Sequence, residues 1–186
     1  MTVFAKTLID PPRIKIPKIE GDFVNIDTKL FLLSNPLEEC FPIDLLDRMR
    51  SVGLRPWKLR FFIWKPNIFS PWHIDTASKM GKLKSSINWV VKGSGEIQWN
   101  ENLNLTPDRS VREQFDEGSI ESSDSDKITH SSDGHGCLVN TSIPHRVKVG
   151  PEGRTTISLL WERPEDFSFD ETYKKLNSIN LIEENI

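Results

Sequence analysis

His73-x-Asp75 sets an imidazole and a carboxylate two residues apart, and in extended backbone the side chains at i and i+2 leave the same face. Such a pair can grip one metal ion. Two ligands do not make a site, so the chain must supply a third. The other histidines are His130, His135 and His145. His145 opens an alternating run in which it shares a face with Val147 and Val149, while Arg146 and Lys148 point the other way. This pattern predicts an inward-facing imidazole. His130 and His135 lie in a Ser/Asp/Gly-rich stretch expected to be solvent-exposed, and they stand as the alternatives.

Two imidazoles and one carboxylate make the facial triad suited to non-haem Fe(II), which leaves open positions on one side of the metal. A structural zinc site would be closed by four protein ligands. The thiolates that usually contribute are missing, since only Cys40 and Cys137 are present and no C-x-x-C occurs. A catalytic Zn²⁺ hydrolase remains compatible with the ligand types.

These side chains must be carried by strands. Trp57, Leu59, Phe61 and Ile63 alternate with Lys58, Arg60, Phe62 and Trp64, a period of two that predicts a strand with aromatic residues on both faces. Residues 86–91 read as a second strand, and Gly93-Ser94-Gly95 as a hairpin turn into residues 96–99. Strands are also expected over residues 137–140, 145–149 and 154–161, and short ones near 114–121 and 127–130. Ile43, Leu45, Leu46, Met49 and Val52 recur at helical spacing between Pro42 and Gly53. Tyr173, Leu176 and Ile179 suggest a second short helix. Many short strands without βαβ alternation argue for an antiparallel, mainly β core with helical decoration.

The chain has 186 residues and a net charge of −3, with Lys and Arg scattered. One domain is expected over residues 1–186: an N-terminal arm (1–41), a core (57–161) holding an acidic, Ser-rich loop (100–135), and a C-terminal segment (162–186). The loop reads as a solvated segment or as a lid over a pocket. No basic stripe points to nucleic acid, and no long apolar run points to a membrane or a signal peptide. A soluble, cytoplasmic protein is expected.

His73-x-Asp75, then His145, then Arg154 nine residues beyond, resembles the Fe(II)/2-oxoglutarate-dependent dioxygenase superfamily over about two thirds of the chain. The resemblance implies a double-stranded β-helix, a jelly-roll or cupin-like barrel, with one or two flanking helices. It implies Fe(II) on His73, Asp75 and His145, 2-oxoglutarate as co-substrate, O₂, and hydroxylation of a small-molecule or peptide substrate. Arg154 would take the far carboxylate of 2-oxoglutarate in its rigid fork, with Thr156 on the same strand face adding a hydroxyl. Asn88, thirteen residues past Asp75, matches an Asn found in the aspartyl/asparaginyl-hydroxylase-like branch and would bond 2-oxoglutarate or substrate. Arg60 is a weaker pocket candidate, and Phe62, Trp64, Trp72 and Trp89 could wall the site. Two rivals are a cupin-like metal-dependent hydrolase or isomerase and a non-catalytic β-barrel binding protein.

Overall fold

Alternation of apolar residues makes Pro56–Trp64 a strand, β3, whose Leu59, Phe61 and Ile63 are buried on one face. The computed structural model describes residues 4–14, 28–32, 36–70, 72–77, 81–101, 126–129, 136–163 and 166–183. Its other strands are β1 (Phe4–Lys6), β2 (Thr28–Leu32), β4 (Thr76–Ala77), β5 (Gly81–Lys82), β6 (Ser85–Trp99), β7 (Asp126–Thr129), β8 (Cys137–Asn140) and β9 (His145–Trp161). Seven of the strands form one sheet in the order β1-β8-β6-β9-β3-β2, with β7 pairing with β6, and β4 and β5 pair separately. Every named pairing is antiparallel. The fold is therefore predominantly β, as expected. Among the described residues no pairing joins the β1 and β2 edges, so the sheet is not closed into a barrel.

The expected hairpin at Gly93-Ser94-Gly95 is not one. Residues on both sides of it belong to the single strand β6, which pairs along its length with an equally continuous β9. Gly93 pairs with Arg154 and Gly95 with Val149, so residues 150–153 of β9 stand against Ser94 alone, three more than the β6 side. The same glycines that permit a turn here permit an irregularity within a strand. At Gly93 the need is steric, because φ is +75° and a Cβ would stand 1.9 Å from the Gly153 carbonyl oxygen.

The helices pack on one face of the sheet. They are α1 (Leu37–Cys40), α2 (Ile43–Ser51) and α3 (Phe169–Ser178). Leu46 and Met49 of α2 and Phe169 and Leu176 of α3 join Leu59, Phe61, Ile87, Trp89, Ile157, Leu159 and Trp161 in the main core. Removing this apolar surface from water is the principal force holding helices to sheet. Ile43, expected on the apolar stripe of α2, is instead exposed at the helix start. The last helix begins four residues before Tyr173, held by a capping box between Ser168 and Glu171. A second core lies on the other half of the sheet, where Ile97, Trp99, Cys137, Val139, Val147 and Val149 pack together. Among the described residues no helix is long and apolar enough to cross a membrane.

Candidate metal centre

The segment carrying His73 and Asp75 runs antiparallel to the first half of β9. Val149 N donates to Ile68 O at 2.8 Å, Ser70 N to Val147 O at 2.8 Å, and His73 and His145 exchange two backbone hydrogen bonds at 2.9 Å. Asp75 N then donates to Thr141 O at 3.1 Å. This ladder holds the His-x-Asp stretch extended and in register with His145. His73 and Asp75 consequently leave the same face, and His145 meets them from the neighbouring strand.

Asp75 Oδ1 lies 3.6 Å from His73 Nε2 and 3.9 Å from His145 Nε2. Donor atoms of all three residues fall within 4.8 Å of one another. With metal–ligand bonds of about 2.1 Å, one ion spans donors up to about 4.2 Å apart, so both carboxylate–imidazole distances suit a shared metal. The ring of His145 is oriented by its Nδ1, 2.9 Å from Ile143 O. A carbonyl only accepts, so Nδ1 carries the proton and the Nε2 lone pair faces Asp75.

Electrostatics favour the ligating forms. Burial pushes the Asp75 carboxyl up, but Arg60 and the imidazoles of His145 and His73 outweigh it and bring the carboxyl down to about 2. Burial, with His73 beside it, pushes His145 down to about 4 against the pull of Asp75. Near neutral pH the carboxylate is ionised and His145 is uncharged.

Behind the cluster the pocket holds an unmatched cation. Arg154 is 3 % exposed, and its Nε and Nη1 atoms are buried without a hydrogen-bond partner among the described residues. Thr156 Oγ1, two residues along the same face of β9, is buried and unpartnered as well. Burial pushes the Arg154 guanidinium down to about 10, with Cys137 working the other way. A desolvated, unpaired guanidinium is costly unless an anion reaches it. The donor set fits a carboxylate.

Of the six residues expected from the sequence, all line this one pocket: His73, Asp75, His145, Asn88, Arg154 and Thr156. Asn88 Oδ1 accepts from Ser86 Oγ at 3.1 Å. Arg60, ranked low in the sequence, also lines it and donates from Nη2 to Asp75 Oδ2 at 3.0 Å. Phe62 and Trp64 form part of the wall, stacked at 6.1 Å. Trp89 does not: it belongs to the core on the other face and donates from Nε1 to Ile9 O at 2.9 Å. Trp72 is buried beneath the Arg146 guanidinium rather than along the wall. Trp99, Asn140 and Thr141 line the pocket without having been expected there, because only the β6–β8 and β6–β9 registers bring them in. His130, His135 and nearly all of loop 100–135 fall outside the described residues.

No family model matches the chain, and no curated protein matches it. Likenesses to solved structures are remote. The capsular polysaccharide assembling protein CapF of Staphylococcus aureus is 16 % identical over 57 % of this chain and 25 % of its own, with a TM-score of 0.36. The chain thus spans about a quarter of that protein's length. A Pseudomonas putida prolyl-4-hydroxylase is 11 % identical over 73 % of this chain and 72 % of its own, with a TM-score of 0.46. An oxidoreductase of the 2OG-Fe(II) oxygenase family from Burkholderia pseudomallei is 14 % identical over 74 % and 69 %, with a TM-score of 0.44. At these scores the likenesses carry no argument about chemistry, and the functional reading rests on the pocket itself.

Proposed function

We propose that this chain is a non-haem Fe(II)- and 2-oxoglutarate-dependent oxygenase that hydroxylates a C–H bond of an amino acid, a peptidyl residue or a small metabolite. The observation that carries the reading is the pairing, in one pocket, of a His73/Asp75/His145 cluster with a buried, unpartnered Arg154. A metal site alone would fit several chemistries. A metal site facing an orphaned guanidinium asks for a ligand that both chelates and carries a distal carboxylate, as 2-oxoglutarate does.

On this reading His73, Asp75 and His145 hold the ion, and Arg154 takes the distal carboxylate with the Thr156 hydroxyl beside it. Asn88 offers an amide to co-substrate or substrate. Phe62, Trp64 and Trp99 exclude water from the pocket. When bound, Fe(II) supplies oxygen activation, and the protein's contribution is orientation and a dry, shaped cavity. The sheet carried by residues 57–161 serves as the double-stranded β-helix core of a single unit.

A thermal-shift assay tests the binding half of this reading. A ligand bound only by the folded state raises the melting temperature. Mn(II) as a redox-silent stand-in should stabilise the protein, and 2-oxoglutarate should add a further shift only when the metal is present. Stabilisation by metal with no response to 2-oxoglutarate would favour a hydrolase or isomerase, and no response to either would favour a binding protein.

A further inference from the structure

Asp75 shows its two oxygens to different partners. Oδ1 faces the imidazoles of His73 and His145, whereas Oδ2 accepts from Arg60 Nη2 at 3.0 Å. Arg60 comes from β3, a strand that pairs with β2 and β9 and not with the segment carrying Asp75. Both side chains are largely withdrawn from solvent, at 13 % and 15 % exposure. Among the described residues this is the only hydrogen bond the Arg60 side chain makes, and its buried Nε has no acceptor. Its guanidinium otherwise rests over the Phe62 ring at 4.5 Å. The side chain thus holds the outer oxygen of Asp75 from a strand that Asp75 does not pair with.

We propose that Arg60 is a positioning residue that makes Asp75 a one-oxygen metal ligand. A carboxylate can bind a divalent ion through one oxygen or through both. A guanidinium on Oδ2 opposes the second mode, since Oδ2 would have to share its electron density between the guanidinium and the ion, crowding two cations. With Oδ1 alone engaged, His73, Asp75 and His145 take three positions and leave the rest of the ion open for a chelating keto acid. A two-oxygen Asp75 would occupy one of the positions that chelate needs. This inference rests on the metal reading above and adds to it what keeps the site open.

The test separates metal affinity from co-ligand affinity. Calorimetry would measure Mn(II) binding to the wild-type protein, Arg60→Met and Arg60→Lys, then 2-oxoglutarate binding to each Mn(II)-loaded protein. The expected result is that Arg60→Met still binds Mn(II) but binds 2-oxoglutarate at least about tenfold more weakly, the loss typical of one charge-assisted hydrogen bond. Arg60→Lys should recover much of that affinity. Arg60→Gln, which keeps a donor without the charge, carries the same comparison should Arg60→Met fail to fold. Unchanged 2-oxoglutarate affinity in the Mn(II)-loaded variant overturns the role of Arg60 and leaves the metal reading standing. Wild-type protein that binds no Mn(II) overturns both.

Discussion

Arg154 runs past the backbone of Gly95 so closely that a Cβ at residue 95 would stand 3.3 Å from its Cδ and 3.4 Å from its Nη1. The slot that receives the guanidinium is therefore cut partly by a missing side chain. The irregular pairing between Gly93 and Gly95 opens it just where β9 delivers Arg154. Sequence, strand register and pocket electrostatics meet at this pair.

Gly95→Ala should consequently disturb the pocket. Its Cβ would also lie 2.4 Å from the Lys148 carbonyl oxygen, a backbone atom with little room to yield. A loss of about 1–3 kcal/mol in urea unfolding is expected, as for other overpacked sites. The same variant should need more 2-oxoglutarate to reach half-maximal stabilisation, because the guanidinium is pushed from its slot.

Arg154→Met should trade function for stability. The folded protein holds Arg154 at about 10 rather than 12.5, and since folded and unfolded chains are both charged near neutral pH, that depression is a cost of folding of about 3 kcal/mol. Replacing the cation with an apolar side chain of similar length removes this cost. The ligand-free variant should melt higher than wild type while losing its response to 2-oxoglutarate. A lower melting temperature would instead mean that Arg154 is satisfied in the folded state.

The cap of α3 supplies a pH dependence. Glu171 Oε2 accepts from Ser168 N at 2.9 Å and from Ser168 Oγ at 2.8 Å, and these bonds hold the Glu171 carboxyl below its ordinary value of 4.5. A carboxyl with a depressed folded pKa contributes stability above its unfolded value and loses it as pH falls through the folded one. Glu171→Gln should therefore unfold at lower urea than wild type near neutral pH, with the gap closing below the ordinary carboxyl range. A gap that persists in acid would assign the effect to packing.

Much of the candidate site was legible because period-two patterns fix faces. His73 and Asp75 share one face of an extended segment, and His145, Val147 and Val149 share the buried face of β9, as their spacing predicts. Arg154 and Thr156 were pointed out by the family resemblance, and the same rule sets them on one face of β9, where both line the pocket. What was hidden depends on register between distant segments. Arg60 gains its meaning from Asp75, which only the fold brings to it, and Trp89 and Trp99 fall on different sides of the irregularity at Gly93 and Gly95. Turn and bulge use the same glycines, so the sequence alone could not tell a hairpin from a bent strand. The start of α3 is encoded by Ser168-x-x-Glu171, a capping box that lies upstream of the apolar spacing, which becomes clear only at Tyr173.

If His73, Asp75 and His145 hold iron for a reaction that consumes 2-oxoglutarate, that reaction must leave succinate behind. Release of succinate from 2-oxoglutarate, measured in air with Fe(II) for the wild-type protein and Asp75→Ala, tests it most directly. Iron-dependent succinate release by the wild type and its loss in the variant are expected; equal release by both, or none by a wild-type protein loaded with iron, would overturn the assignment.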